Sequence, residues 1–388
     1  MGINRYLYVI GGILIYMCVG SIYSWSVFRN PLEELLGIGS FVSGLPYMLF
    51  LLFFSLSMPL AGRYIKKLGA TLSVMIGNVL FLTGFLLAGI SGNIVFITIG
   101  YGLISGIGVG VIYGVPIAVV SGWFPEKKGL VMGLTLAGFG LSPFVTAPFA
   151  RYLIDLFGPI RSFSILGVVF FITIFIFSLL MRFADGEGES TKTSHNDSLF
   201  ADKRFYGLWI SYLIGTTAGL MAIGMTSPFA QEIIGMDGDT AAVMVSVLAI
   251  FNALGRPLFG MLTDKIKPFK VIVISFLLII AASAMGLWLS EGMSVLFFVV
   301  FASLWLSLGG WLAIAPAATS FIFGHERFSA NYGIMFVAYG MGAVVGTSIS
   351  GQIKDMLGSY ELAFYPVIGL TLIGLLVAFL TLREKTAA

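Results

Sequence analysis

Residues 184–204 read ADGEGESTKTSHNDSLFADKR, and no other stretch of the 388-residue chain is as polar. Outward from it in both directions the sequence turns apolar in runs of about twenty residues. That is the length an α-helix needs to cross a hydrocarbon layer. Six runs precede it, at 6–27, 41–62, 71–91, 94–122, 129–152 and 161–181. Six follow it, at 205–230, 241–262, 270–290, 293–318, 329–351 and 360–382. The polar stretch therefore reads as a linker between two bundles, 1–183 and 205–388. The pattern predicts an all-α membrane protein of twelve transmembrane helices in two six-helix bundles.

Composition excludes the other classes. Hydrophobic residues make up 58% of the chain, charged residues 10%, and mean hydropathy is +1.02. A soluble domain averages about 45–50% apolar and about 25% charged, and a disordered chain is more polar still. Cys18 stands alone, which excludes an internal disulfide and a cysteine metal site. His195 falls in the linker and His325 in a loop, so neither serves a proton relay within the membrane. No G-x-x-x-x-G-K-[ST] motif is present, so the chain is not an ATP-driven pump. Gly106-Ile107-Gly108-Val109-Gly110 sits inside an apolar run with no strand before it, which discounts a nucleotide loop. Gly102, Gly106, Gly110 and Gly114 recur every fourth residue, a face for close helix packing. The first run is too long for a signal-peptide core, and no small-x-small cleavage site follows it. No metal, nucleotide, covalent cofactor or nucleic acid is implied, and nothing suggests catalysis.

Basic residues orient the spans. Of 21 lysines and arginines, sixteen fall on one side if both termini are cytoplasmic. Four, Arg29, Arg151, Arg161 and Lys354, fall outside, and Arg256 remains as the one basic residue deep within a run. This asymmetry puts both termini in the cytoplasm, and the expected location is the plasma membrane of a prokaryote. The glycosylation sequon Asn196-Asp197-Ser198 would then be inert.

The second half repeats the first. At an offset of about 200, Pro116 meets Pro316, Gly133 meets Gly333 and Gly140 meets Gly340. Asp155-Leu156-Phe157-Gly158 meets Asp355-Met356-Leu357-Gly358. At 198, Pro59 and Gly62 meet Pro257 and Gly260. A pseudo-two-fold repeat of six helices is a transporter architecture, with the substrate between the halves near the midplane.

Arg256 carries the chemistry. An arginine near a helix centre costs roughly 2.5–3.5 kcal/mol on insertion scales. No run holds an interior carboxylate to pair with it; Asp155, Asp264, Asp355, Glu232 and Glu361 all lie at run ends. A guanidinium so placed suits an anionic substrate, whose carboxylate it binds bidentately. Asn252 lies one helical turn before it, placed to orient the guanidinium or to donate to the carboxylate and a neighbouring hydroxyl. Phe139 is the repeat mate of Tyr339 and would give the cavity an apolar wall. Tyr23, in the first run, is a further candidate.

Two segments carry a family resemblance. Gly260-Met261-Leu262-Thr263-Asp264-Lys265 is similar to the cytoplasmic loop signature of the major facilitator superfamily, though Gly62-Arg63-Tyr64-Ile65-Lys66-Lys67-Leu68-Gly69 lacks its aspartate. Tyr113-Gly114-Val115-Pro116, with Trp123-Phe124-Pro125-Glu126-Lys127-Lys128-Gly129-Leu130-Val131-Met132-Gly133, resembles the monocarboxylate transporters and the related oxalate/formate antiporters. The resemblance implies alternating access and places Tyr113 beside the substrate. Where those antiporters have a lysine as second cation for a dianion, this chain has Tyr339, which with Arg256 implies a monocarboxylate. Where the vertebrate-type carriers have an aspartate, this chain has Asn252, which removes that route of proton coupling. The expected activity is secondary transport of a small monocarboxylate such as L-lactate, pyruvate or formate. A proton would accompany it, or a second carboxylate would be exchanged for it; oxalate/formate antiport is the alternative.

Overall fold

A computed structural model describes residues 5–184, 197–324 and 328–383. His195, Asn196 and His325 lie outside the described residues, as does most of the polar linker. All regular structure among the described residues is helical. Eleven helical runs are long and apolar enough to cross a membrane: Tyr6–Ser24, Ser40–Gly62, Ala70–Ile90, Ile94–Trp123, Pro125–Ser178, Lys203–Glu232, Gly238–Ile266, Pro268–Gly286, Ser294–Phe323, Ala330–Leu357 and Glu361–Thr381. One of them holds two spans. The helix Lys128–Ser178 turns back at Gly158, whose φ of 77° and ψ of 164° only glycine adopts without strain. Pro159 follows, preset for a first helical turn. Numbered in chain order, 128–157 and 159–178 are thus spans 5 and 6 of twelve.

Span 1 departs from the sequence reading. It is helical over Tyr6–Val19, tightens to a 3₁₀ turn at Gly20–Ser24, and resumes as Ser26–Leu36. The extension carries Arg29, which the charge count puts on the outer side. Arg29 is 1% exposed, deeper than Arg256 at 9%, so Arg256 is not the only buried basic side chain. It is tolerated because its donors are used. Nε donates to Ser43 Oγ (3.0 Å), Nη2 to the Ser40 carbonyl (2.5 Å) and Nη1 to the Gly224 carbonyl of the other half (3.1 Å). Glu33 lies 3.6 Å away, one turn along.

Glycines set the close contacts. A methyl group at Gly106 would lie 2.6 Å from the Phe50 carbonyl, and one at Gly102 would lie 3.1 Å from that of Pro46, so this face of span 4 packs on span 2. The repeat is visible in backbone geometry. Gly158 and its mate Gly358 both have φ near +80° (77° and 80°). Gly69 has φ 82°, and its mate at an offset of 198 is Lys267, the one non-glycine with positive φ among the described residues, at 71°. Such a conformation costs a side chain of order 1–3 kcal/mol.

The halves touch along two crossings related by the same repeat. Span 5 packs on span 8, where a methyl at Gly140 would sit 2.7 Å from Asn252 Oδ1 and 3.4 Å from Ala253 Cα. Span 11 packs on span 2, where a methyl at Gly340 would meet the Leu51 carbonyl at 2.8 Å and Leu52 Cα at 2.9 Å.

Candidate functional site

Span 8 is pressed onto span 10 at its back. A methyl at Gly255 would run into the Leu306 carbonyl, and one at Gly309 into that of Asn252. This contact holds Asn252 and Arg256, one turn apart, toward span 5. There Arg256 Nη1 donates to the Leu136 carbonyl at 2.5 Å, a hydrogen bond between the two halves. Its Nε and Nη2 are buried and have no hydrogen-bond partner among the described residues. Asn252 is fully buried. Its Nδ2 donates to the Trp305 carbonyl (3.3 Å), which fixes the amide and leaves Oδ1 as a buried acceptor without a donor. Of the two roles read from the sequence, orienting the guanidinium or donating to the ligand, this arrangement shows neither: Nδ2 bonds to span 10, and Oδ1 is left as an acceptor.

Aromatic rings from both halves line the centre. The hydroxyls of Tyr23 and Tyr339 are 2.6 Å apart and join span 1 to span 11. Phe139 lies edge-on to Tyr23 at 5.2 Å and to Tyr113 at 5.6 Å. Tyr339 stacks on Phe336 at 5.0 Å, and Phe54 packs edge-on against Phe336 (5.3 Å) and Tyr113 (4.9 Å). Tyr16 donates to the Tyr113 carbonyl (2.5 Å). Of the residues singled out in sequence, Tyr23, Tyr113, Phe139 and Tyr339 thus fall in one connected cluster. Phe54, Phe336 and the Leu136 carbonyl were not foreseen. Phe54 is the repeat mate of Asn252, and Met58 that of Arg256, at an offset of 198; Phe336 is the mate of Leu136 at 200.

The end of the molecule away from the chain termini is strapped shut across the halves. Asp355 accepts from the Ser40 and Phe41 amides (2.7 and 2.9 Å), capping the start of span 2. Its mate Asp155 pairs with Arg151 (3.0 Å), which reaches Asp239 at the start of span 8 (2.9 Å). Tyr360 and Ser40 share a hydroxyl hydrogen bond of 2.9 Å. Lys354 pairs with Glu232 at 2.5 Å. Arg29, Arg151 and Lys354, three of the four cations expected outside, are therefore engaged in pairs. At the same end Asp237 caps span 8, and its hydrogen bonds with Thr240 hold its carboxyl below the usual carboxylate range.

The sequence profile of the Major Facilitator Superfamily matches residues 8–325. The chain belongs to the Major Facilitator Superfamily. It is a multi-pass membrane transporter, not an enzyme. Among similar proteins of the superfamily is an uncharacterised transporter of Escherichia coli, 27% identical over 88% of this chain and 86% of its own. The oxalate:formate antiporter of Oxalobacter formigenes is 25% identical over 92% and 86%. Monocarboxylate transporter 12-B of Danio rerio is 24% identical over 79% and 72%. The fold is similar to that of a bacterial homologue of the human lysosomal transporter Spinster, solved in an inward-facing, occupied conformation, with a TM-score of 0.78 at 14% identity over the whole of both chains.

Proposed function

We propose that this major facilitator protein carries a small 2-hydroxy monocarboxylate, L-lactate or a close relative, across a prokaryotic inner membrane by alternating access. The observation that carries the reading is the free edge of Arg256. With Nη1 bonded to Leu136, the remaining Nε and Nη2 form a side-on fork that matches the two oxygens of one carboxylate. Hydrogen bonds to charged groups are worth about 1.5–3 kcal/mol each. Asn252 Oδ1 can only accept, so its partner must bring a donor, and the hydroxyl beside the carboxylate of a 2-hydroxy acid supplies one. Between Tyr23 and Tyr339 one hydroxyl hydrogen is used, which leaves the other to donate to the ligand. Phe54, Phe139 and Phe336 suit a short alkyl group. One arginine balances one carboxylate; a dianion would keep an uncompensated charge in a buried site. The named activities of the antiporter and monocarboxylate relatives support a small carboxylate. Exchange of oxalate for formate is the second reading, favoured by the likeness to the antiporter over 92% of this chain.

A proton travelling with the carboxylate leaves the net charge moved near zero, so inward lactate flux should rise with an inward proton gradient. Flux indifferent to the gradient but stimulated by internal carboxylate assigns exchange instead. Proteoliposomes loaded with labelled L-lactate and challenged with unlabelled acids test the substrate. Unlabelled L-lactate should compete best. Propionate, which lacks the hydroxyl, should compete about tenfold less well, because it leaves a buried acceptor unsatisfied. Oxalate competing best would replace this reading with exchange, and no competition by any carboxylate would remove both.

A further inference from the structure

At the end of the first half where the basic residues gather, the turn from span 2 to span 3 and the end of span 6 enclose a groove of about 420 Å³. Leu68, Leu72, Met75 and Phe183 line it with apolar surface, and Arg182 joins the lining. The groove is built in: Thr71 Oγ1 donates to the Met181 carbonyl (2.8 Å), and Trp123 Nε1 donates to that of Arg182 (2.8 Å). Both hydrogen bonds fix the end of span 6 to its neighbours. The described chain segments around it, 60–76 and 176–184, contain Arg63, Lys66, Lys67 and Arg182 and no acidic residue; Asp185, Glu187 and Glu189 follow in the sequence. Neither Lys67 nor Arg182 pairs with a carboxylate among the described residues, and both are exposed. Exposed Tyr64 and partly buried Trp123 mark this level as the boundary of the hydrocarbon, where amphipathic rings collect.

A groove with apolar walls and a basic rim at that level matches a ligand with an anionic head and an apolar tail. We infer that it holds an anionic phospholipid, with the phosphate on Arg182 and Lys67 and an acyl chain along Leu72, Met75 and Phe183. The inference does not depend on the transported substrate. It places a lipid across the joint between spans 2, 3 and 6, so the lipid braces the first bundle.

Native mass spectrometry and thermal shift on the detergent-purified full chain test it, with phosphatidylglycerol, phosphatidylcholine and glycerol phosphate as probes. Phosphatidylglycerol should stay bound and raise the unfolding temperature, while phosphatidylcholine and glycerol phosphate should do neither. The double variant Lys67→Ala, Arg182→Ala should retain phosphatidylglycerol about twenty-five-fold less well, since each basic residue at an anionic surface counts for about a factor of five. Met75→Trp, which fills the groove and keeps the charges, should lose the lipid too, and lactate binding should persist in both variants. Equal retention of the two lipids by the native protein would overturn the proposal, as would undiminished phosphatidylglycerol binding in either variant. Glycerol phosphate binding as well as the lipid would assign the site to a soluble phosphate instead.

Discussion

The two crossings between the halves are made of repeat mates, yet they differ in chemistry and in how far they stay closed. At the crossing of spans 5 and 8, span 8 presents Asn252 and Arg256. At the crossing of spans 11 and 2, the corresponding positions of span 2 hold Phe54 and Met58. One crossing carries a charged side chain and the other an apolar pair at the same positions of a common scaffold. Toward the basic end they also part company. A methyl at Gly333 would lie 2.9 Å from Pro59 Cβ, so spans 11 and 2 still touch there. Gly133, two turns before Gly140 on the same face of span 5, has nothing within 4 Å and is exposed. The crossing that carries the arginine is the one that opens. A buried charge beside an opening has water within a short reach, so its ligand can arrive hydrated and shed water only at the last step. On the proposed function the duplicated architecture separates two tasks: one crossing would receive the charged end of the ligand, and the other, which stays shut longer, would supply an apolar wall.

The largest effect expected concerns the polar pair. Arg256→Ala should reduce lactate transport more than a hundredfold, through loss of two charge-assisted hydrogen bonds of about 1.5–3 kcal/mol each. The unfolding temperature should not fall, because a buried charge without a full set of partners is removed. Arg256→Lys should fail nearly as badly, since an ammonium has no fork. Met58→Ala, at the mate position, should cost only a few-fold; an equal loss in proteoliposome uptake would break the division between polar and apolar crossings.

Cysteine cross-linking sharpens the comparison of closure. The pair Pro59→Cys, Gly333→Cys should oxidise readily to a disulfide, and the mate pair Gly133→Cys, Pro257→Cys should not, as read by mobility on gels after thiol labelling. Comparable yields for the two pairs would erase the asymmetry.

Charge number comes next. Adding a second cation on the apolar side, by Tyr339→Lys, should shift the ratio of oxalate to lactate binding about tenfold toward oxalate. Attraction between unit charges at ~4 Å is about 4 kcal/mol at an effective dielectric of ~20, and desolvating the lysine consumes part of it. Calorimetry on native and variant protein reads the ratio, and an unmoved ratio makes Tyr339 a packing residue.

The smallest effect belongs to the strapped end. Asp355→Asn weakens the cap on span 2, where losing a capping side chain costs about 1 kcal/mol. That corresponds to a roughly fivefold shift toward opening on that side. A cysteine placed by Thr347→Cys, beside Gly44 between spans 2 and 11, should then label about fivefold faster with an impermeant thiol reagent. No change in rate would exclude Asp355 from holding that crossing closed.

How much of this was legible in the sequence depends on what each feature is made of. Spans announce themselves by apolar length, so their existence was readable. The joint of spans 5 and 6 falls in the gap between the runs 129–152 and 161–181, because the sequence does not show that Gly158-Pro159 alone makes the turn. The burial of Arg29 was not legible because its segment, Ser26–Leu36, is too polar to read as part of a span. What buries it is the Gly224 carbonyl, 195 positions away. The Leu136 carbonyl has no side-chain signature at all. The orientation of Asn252 depends on the Trp305 carbonyl, another backbone atom remote in sequence. Phe54 was within reach: the offset that pairs Pro59 with Pro257 pairs Phe54 with Asn252.

The Gly158-Pro159 joint bears on how the chain is made and what it shows to the outside. Two helices meeting at a single residue leave almost no loop to be drawn through the bilayer, which favours entry of the pair as a preformed hairpin. For the same reason a protease approaching that face meets helical rather than extended backbone in spans 5 and 6. Insertion of a reporter tag directly after Gly158 would have to create the very loop that the glycine makes unnecessary.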